Sequence, residues 1–176
     1  MATSLPRDAA TRIQLDWPTI ILAALIAAAV DAVWFSTTAW LQGSSGYVVM
    51  QLTGGFWMAP GTALAAGNAS FLLGCATHIT VATMMATAFA LLRPRLAMVR
   101  RTPLVSGTLY GLFLYVVMNL IVLPLRWPRN FPRFDGWQSA GDLLVHVAFG
   151  IIFAALIGRR APVSAWTAGP FRASPF

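Results

Sequence analysis

The chain has 176 residues, 58% hydrophobic and only 10% charged, with a mean hydropathy of +0.71. A soluble domain carries about 25% charged residues, so composition alone excludes an ordinary soluble fold and points to a membrane protein. The formal charge of +7 comes entirely from arginine, because the chain contains neither Lys nor Glu. Those arginines flank apolar runs instead of lining one polar face, which argues against a nucleic-acid surface despite a pI of 11.3.

Residues 1–16 form a polar leader with Arg7, Asp8, Arg12 and Asp16. The first apolar run, 18–41, is long enough to cross a hydrocarbon core of about 30 Å. Pro18 suits a first helical turn and Trp17 the membrane interface. The basic leader imitates a secretory signal, but the apolar run continues through Trp34, Phe35 and Trp40, which favours an uncleaved anchor.

Residues 42–67 carry no charge but are interrupted by Gly43, Gly46, Gly54, Gly55, Pro60, Gly61 and Gly67. A short helical piece is expected around Tyr47 to Leu52, either lying in the interface or folding back between helices as a re-entrant segment. The second span is expected at 70–92, with Asn68 and Ser70 as N-cap candidates and Pro94 as a stop. Its single cysteine, Cys75, permits no intramolecular disulfide and reads as a small core hydrophobe.

The third span is expected at 103–123, where Pro124 ends or kinks it. The connection that follows, RWPRNFPRFDGW from Arg126 to Trp137, holds two prolines, Pro128 and Pro132, and alternates arginine with aromatic residues. Interfacial anchoring is the plain reading; the functional one is contact of Arg126, Arg129 and Arg133 with an anionic lipid headgroup or solute. The fourth span is expected at 139–158, and 161–176 as an irregular tail. The leader, the second connection and the C-terminal segment hold nine arginines, against three on the other side. The positive-inside rule then places both termini in the cytosol, with the third connection dissenting.

Each span holds a strongly polar residue. Asp31 lies fifteen residues after Asp16, His78 fifteen before Arg93, Asn119 sixteen after Pro103 and His146 thirteen before Arg159. At about 1.5 Å per residue all four sit about 20–24 Å from the cytosolic edge, which predicts one polar layer turned away from lipid. Asp142, four residues before His146, is placed for its carboxylate to accept a ring N–H. The matching heights also suggest two tandem helical hairpins.

Several uses of this layer are open. One is a hydrogen-bonded clasp between helices. Another is a transition-metal site on His78 and His146, or a proton relay through Asp31, His78 and His146. A third is axial ligation of a haem by the two histidines. No GxSxG, HExxH, P-loop or dinucleotide fingerprint is present, so an enzyme is the less favoured class.

Gln51 to Gly55, Gly74 with His78, Gly107, Tyr110-Gly111, Met118-Asn119, Leu123-Pro124-Leu125 and His146 with Gly150 occur in an order and spacing that resembles a family of uncharacterised bacterial inner-membrane proteins with four spans. The resemblance covers residues 46–160 and departs at Phe56, Trp57 and Met58, where smaller residues are expected. It implies an all-α integral membrane four-helix bundle in the cytoplasmic membrane and brings no established activity. The partners expected are the lipid bilayer and other membrane-protein subunits or further copies of this chain. A non-catalytic accessory subunit is the rival functional class, and a small transporter subunit a further one.

Overall fold

The computed structural model describes residues 15–59 and 61–158. Most of the expected leader, and all of the expected tail with Arg159 and Arg160, lie outside the described residues. The elements are helices α1 (Trp17–Leu41), α2 (Gly46–Gly54), α3 (Asn68–Leu92), α4 (Ala97–Arg101), α5 (Pro103–Val117), α6 (Leu123–Arg126) and α7 (Trp137–Leu156). A short 3₁₀ turn, Gly55–Trp57, follows α2, and a π-helical turn, Met118–Val122, joins α5 to α6. There is no strand among the described residues. Trp17–Leu41, Asn68–Leu92, Pro103–Arg126 and Trp137–Leu156 are each long and apolar enough to cross a membrane. The protein is an all-α membrane bundle of four such helices.

Local chemistry sets the boundaries. Asp16 caps α1 through Thr19, whose hydroxyl donates at 2.7 Å and whose backbone N–H donates at 3.4 Å, and Ser45 caps α2 through the Val48 N–H. The expected caps of α3 are displaced. Gly67, at φ +57°, is the cap residue, and Asn68 is the first residue of the helix. The Asn68 side chain accepts from the Tyr47 hydroxyl at 2.7 Å instead, while Ser70 is fully buried and donates to the carbonyls of Ala63 and Gly67. The third span runs beyond Pro124 to Arg126. A proline removes one helical hydrogen bond and crowds the carbonyl four residues earlier; the widened turn at Met118–Val122 lies directly before it and lets the helix continue.

Lipid tails are as apolar as leucine, so helices in a membrane associate through close packing. α1 turns Ile20, Ala23, Ala24, Ala27 and Ala28 inward and leaves Ile21, Leu22, Leu25 and Ile26 exposed. This stripe packs on α3, which offers Ala82, Ala86, Phe89 and Ala90, and on α7. α5 and α7 meet backbone to backbone. A Cβ added at Gly107 would sit 2.6 Å from the Gly150 carbonyl oxygen, and one at Gly150 would overlap the Gly107 carbonyl. Gly111 is pressed in the same way against His146 and Val147. The chain thus forms two hairpins, α1 with α3 and α5 with α7, joined along α1 and α7. Tyr110 closes the ring by donating to the Met85 carbonyl of α3 at 2.7 Å and packing on Phe89 and Phe153.

α2 packs on α3 and on α1. Tyr47 stacks on Phe71 with centroids 4.8 Å apart, the Met50 carbonyl occupies the space a Gly74 side chain would fill, and the Trp57 indole donates to Thr77 at 2.7 Å. The contacts do not advance in step, since the Met50 carbonyl meets Gly74 while Gly54 meets Ser70, so α2 crosses the first turns of α3. The segment after it leads to α3, tied by the buried Gln51 amide to the Leu64 and Gly67 carbonyls.

Replacing Gly150 by Leu should force α5 from α7 and lower stability by about 1–3 kcal/mol or more, the cost of overpacking a tight contact. Phe113→Leu, on the exposed face of α5, should be near neutral. Unfolding of the two variants in mixed micelles measures the difference.

Candidate functional site

Asp31 and His78 meet between α1 and α3, with Asp31 Oδ2 3.7 Å from His78 Nε2 and side chains 27% and 18% exposed. The same ring nitrogen lies 3.2 Å from the Ala28 carbonyl oxygen. A carbonyl only accepts, so Nε2 carries the hydrogen and Nδ1 keeps the lone pair in the neutral ring. Phe35 packs edge-on against the imidazole at 5.7 Å and steadies its plane.

On α7 the arrangement is the mirror in tautomer. His146 Nδ1 lies 2.8 Å from the carbonyl oxygen of Asp142, one helical turn back, so Nδ1 carries the hydrogen and Nε2 is the free base. The expectation that the Asp142 carboxylate would hold this ring needs correction: the backbone carbonyl does. The carboxylate turns to α1 and accepts from the Trp34 indole N–H at 2.6 Å. Gly141 makes this reach available, since any Cβ there would overlap the Trp34 ring. Trp34 is a site residue that the sequence reading passed over as part of an apolar run. Its signal was the pairing of an indole N–H in one span with a carboxylate in another, two groups that each need a partner in hydrocarbon.

Asp31 lies within electrostatic range of His78, His146 and Asp142. Asp31 and His78 are thus in contact, and Asp142 and His146 stand one helical turn apart on α7, giving two carboxyls and two imidazoles inside the spans. Asn119 is set apart. Buried on the π-helical turn, it faces the backbone of the connection, accepting from the Arg133 N–H and donating to the Arg133 carbonyl, each at 3.3 Å. Its amide thus pairs with the chain as a neighbouring strand would. A third contact, 3.3 Å to the Tyr115 hydroxyl, leads back to the cluster, because Tyr115 packs edge-on against His146 at 5.7 Å.

Among the described residues no three His, Cys, Asp or Glu side chains are grouped to hold a metal ion. His78 Nε2, the nitrogen that most often ligates iron, is committed to α1.

The three arginines after α5 separate into different roles. Arg126 donates to the carbonyls of Phe56 at 3.1 Å, Gly55 at 2.8 Å and Met58 at 2.6 Å, and lies over the Trp127 ring at 5.8 Å. It satisfies carbonyls left open where α2 and its 3₁₀ turn end. Arg133 pairs with Asp135 at 2.6 Å and donates to Gln138. The hydrogen bond from Arg133 holds the Asp135 carboxyl below the ordinary range, with Ser139 adding to the effect. Arg129 is exposed.

The chain matches no known protein family, no curated protein and no solved structure.

Asn119→Ala should leave the Arg133 N–H without its acceptor, at a cost of about 1–3 kcal/mol for an unsatisfied buried group. Hydrogen exchange at Arg133 should accelerate in that variant, while exchange across α1 and α3 stays as in the parent chain.

Proposed function

We propose that this is a multi-pass protein of the cytoplasmic membrane, related to the four-span bacterial proteins it resembles, whose acid–histidine cluster binds and transfers protons within the bilayer. The observation that carries the reading is the 3.7 Å approach of Asp31 to His78 between two spans. An ionised group facing hydrocarbon costs several kcal/mol, so ionisable residues inside spans concentrate where protons or ions are handled. With two carboxyls and two imidazoles the cluster is electrically neutral when it holds one proton per acid–base pair. Loss of a proton by Asp31 and gain of one at His78 Nδ1 leave the net charge unchanged, and the carboxylate then faces the Nε2–H of the imidazolium at 3.7 Å. His78 receives a further proton on Nδ1 and His146 on Nε2, the two nitrogens whose lone pairs the backbone contacts leave free.

The proposed orientation keeps both termini in the cytosol. The third connection, which dissents by formal count, is weakened as a witness: Asp135 offsets Arg133, and Arg126 is tied to carbonyls of the same face. Contact between Arg126 and Gly55–Met58 also supports placing the first and third connections on one side, as four spans require.

Reconstituted in lipid nanodiscs, the protein should show a pH-dependent carboxyl band in infrared difference spectra. The band should be lost in Asp31→Asn and displaced in His78→Gln. A carboxyl signal unchanged by pH, or unchanged by both substitutions, would remove the basis for proton binding. For topology, an impermeant cytosolic label should reach a cysteine placed at Arg100 and miss one placed at Asn130; the reverse pattern would invert the orientation.

A further inference from the structure

The two connections on the face opposite α4 enclose a cleft of about 420 Å³ between the segment that follows α2 and the start of the arginine-rich connection. Its walls are mainly apolar, with Leu52, Ala63 and Leu64 on one side and Trp127 on the other, and its polar lining includes Arg126, Arg129 and Asn130. Among the described residues no carboxylate lines it, and Asp135, the acidic residue of this connection, is engaged by Arg133.

We infer that this cleft is a binding site for an anionic phospholipid, with the phosphate held at Arg129 and Arg126 and the start of an acyl chain laid on the Leu52–Leu64 wall. Arg126 is fixed by three backbone carbonyls, so its positive charge is positioned before any ligand arrives. Arg129, exposed, has no partner among the described residues and offers its planar donor fork to a phosphate. Charge and wall agree on the class of ligand. Two guanidinium groups without a lining acid call for an anion, and an apolar wall beside them calls for an anion carrying hydrocarbon. The position agrees as well, because the cleft lies where α6 ends, at the level at which a span gives way to headgroups. The volume suits a headgroup with its glycerol and the first methylenes, leaving the rest of the chains against the outer helix faces.

The test uses the full-length protein in neutral detergent, with phosphatidylglycerol, phosphatidylcholine or inorganic phosphate added. Phosphatidylglycerol should raise Tm above the value in phosphatidylcholine, and native mass spectrometry should show it retained on the wild-type chain. Arg129→Gln should weaken that retention about tenfold, the scale of one charge-assisted contact. Arg133→Gln, outside the cleft, should retain the lipid. Equal effects of the two lipids, or full retention by Arg129→Gln, would overturn the site. So would an equal loss in Arg133→Gln, which would indicate only diffuse charge attraction. The same Tm gain from inorganic phosphate alone would make it a free-anion site and refute the lipid assignment.

Discussion

At Gly107, Gly111 and Gly150 the backbones of α5 and α7 come together with no side chain between them, and at Gly54 and Gly74 those of α2 and α3 do the same. In a bilayer this closeness is the main source of cohesion, because burying a leucine against protein gains little over burying it against lipid. It also sets where polar groups meet. His146 is pressed against Gly111 through its backbone, so its ring position is set by the α5–α7 contact, and the Trp34–Asp142 bond exists only because Gly141 is small enough to admit an indole.

A bundle assembled from such contacts must satisfy every polar group that it draws inside. The structure does this largely with backbone partners. His78 and His146 use carbonyls of α1 and α7, Asn119 uses both backbone groups of Arg133, Gln51 and Ser70 use the carbonyls of the segment that follows α2, and Arg126 uses three more. Each imidazole is thereby held in one tautomer, and the two tautomers are opposite. The carboxylates are left to the cross-helix contacts, Asp31 with His78 and Asp142 with Trp34.

The spans were legible in the sequence because length and hydropathy are one-dimensional properties, and three of the four ended within two residues of expectation. The third did not, since a proline reads as a stop unless the widened turn that accommodates it is known. Counting residues from the cytosolic edge placed Asp31, His78 and His146 at one level, as a straight helix allows. Counting gives depth without azimuth, however, and azimuth decided the rest. Asn119 faces the connection and not the cluster, and the Asp142 carboxylate faces α1 and not His146. The course of α2 across α3 was equally hidden, because a nine-residue helix with glycine at both ends carries no signal of which neighbour it packs on.

That course of α2 has a consequence for how the protein is made. Nine residues cannot span a bilayer, so α2 has no means of inserting on its own. It can take its place only after α1 and α3 stand side by side and offer the surface of Ser36, Ser70 and Gly74 on which its glycines close. Biogenesis is thereby ordered, with insertion of two long helices followed by docking of a short one against them. The Gln51 and Arg126 contacts then act as latches that form late, after the second hairpin has delivered its arginine to the same face.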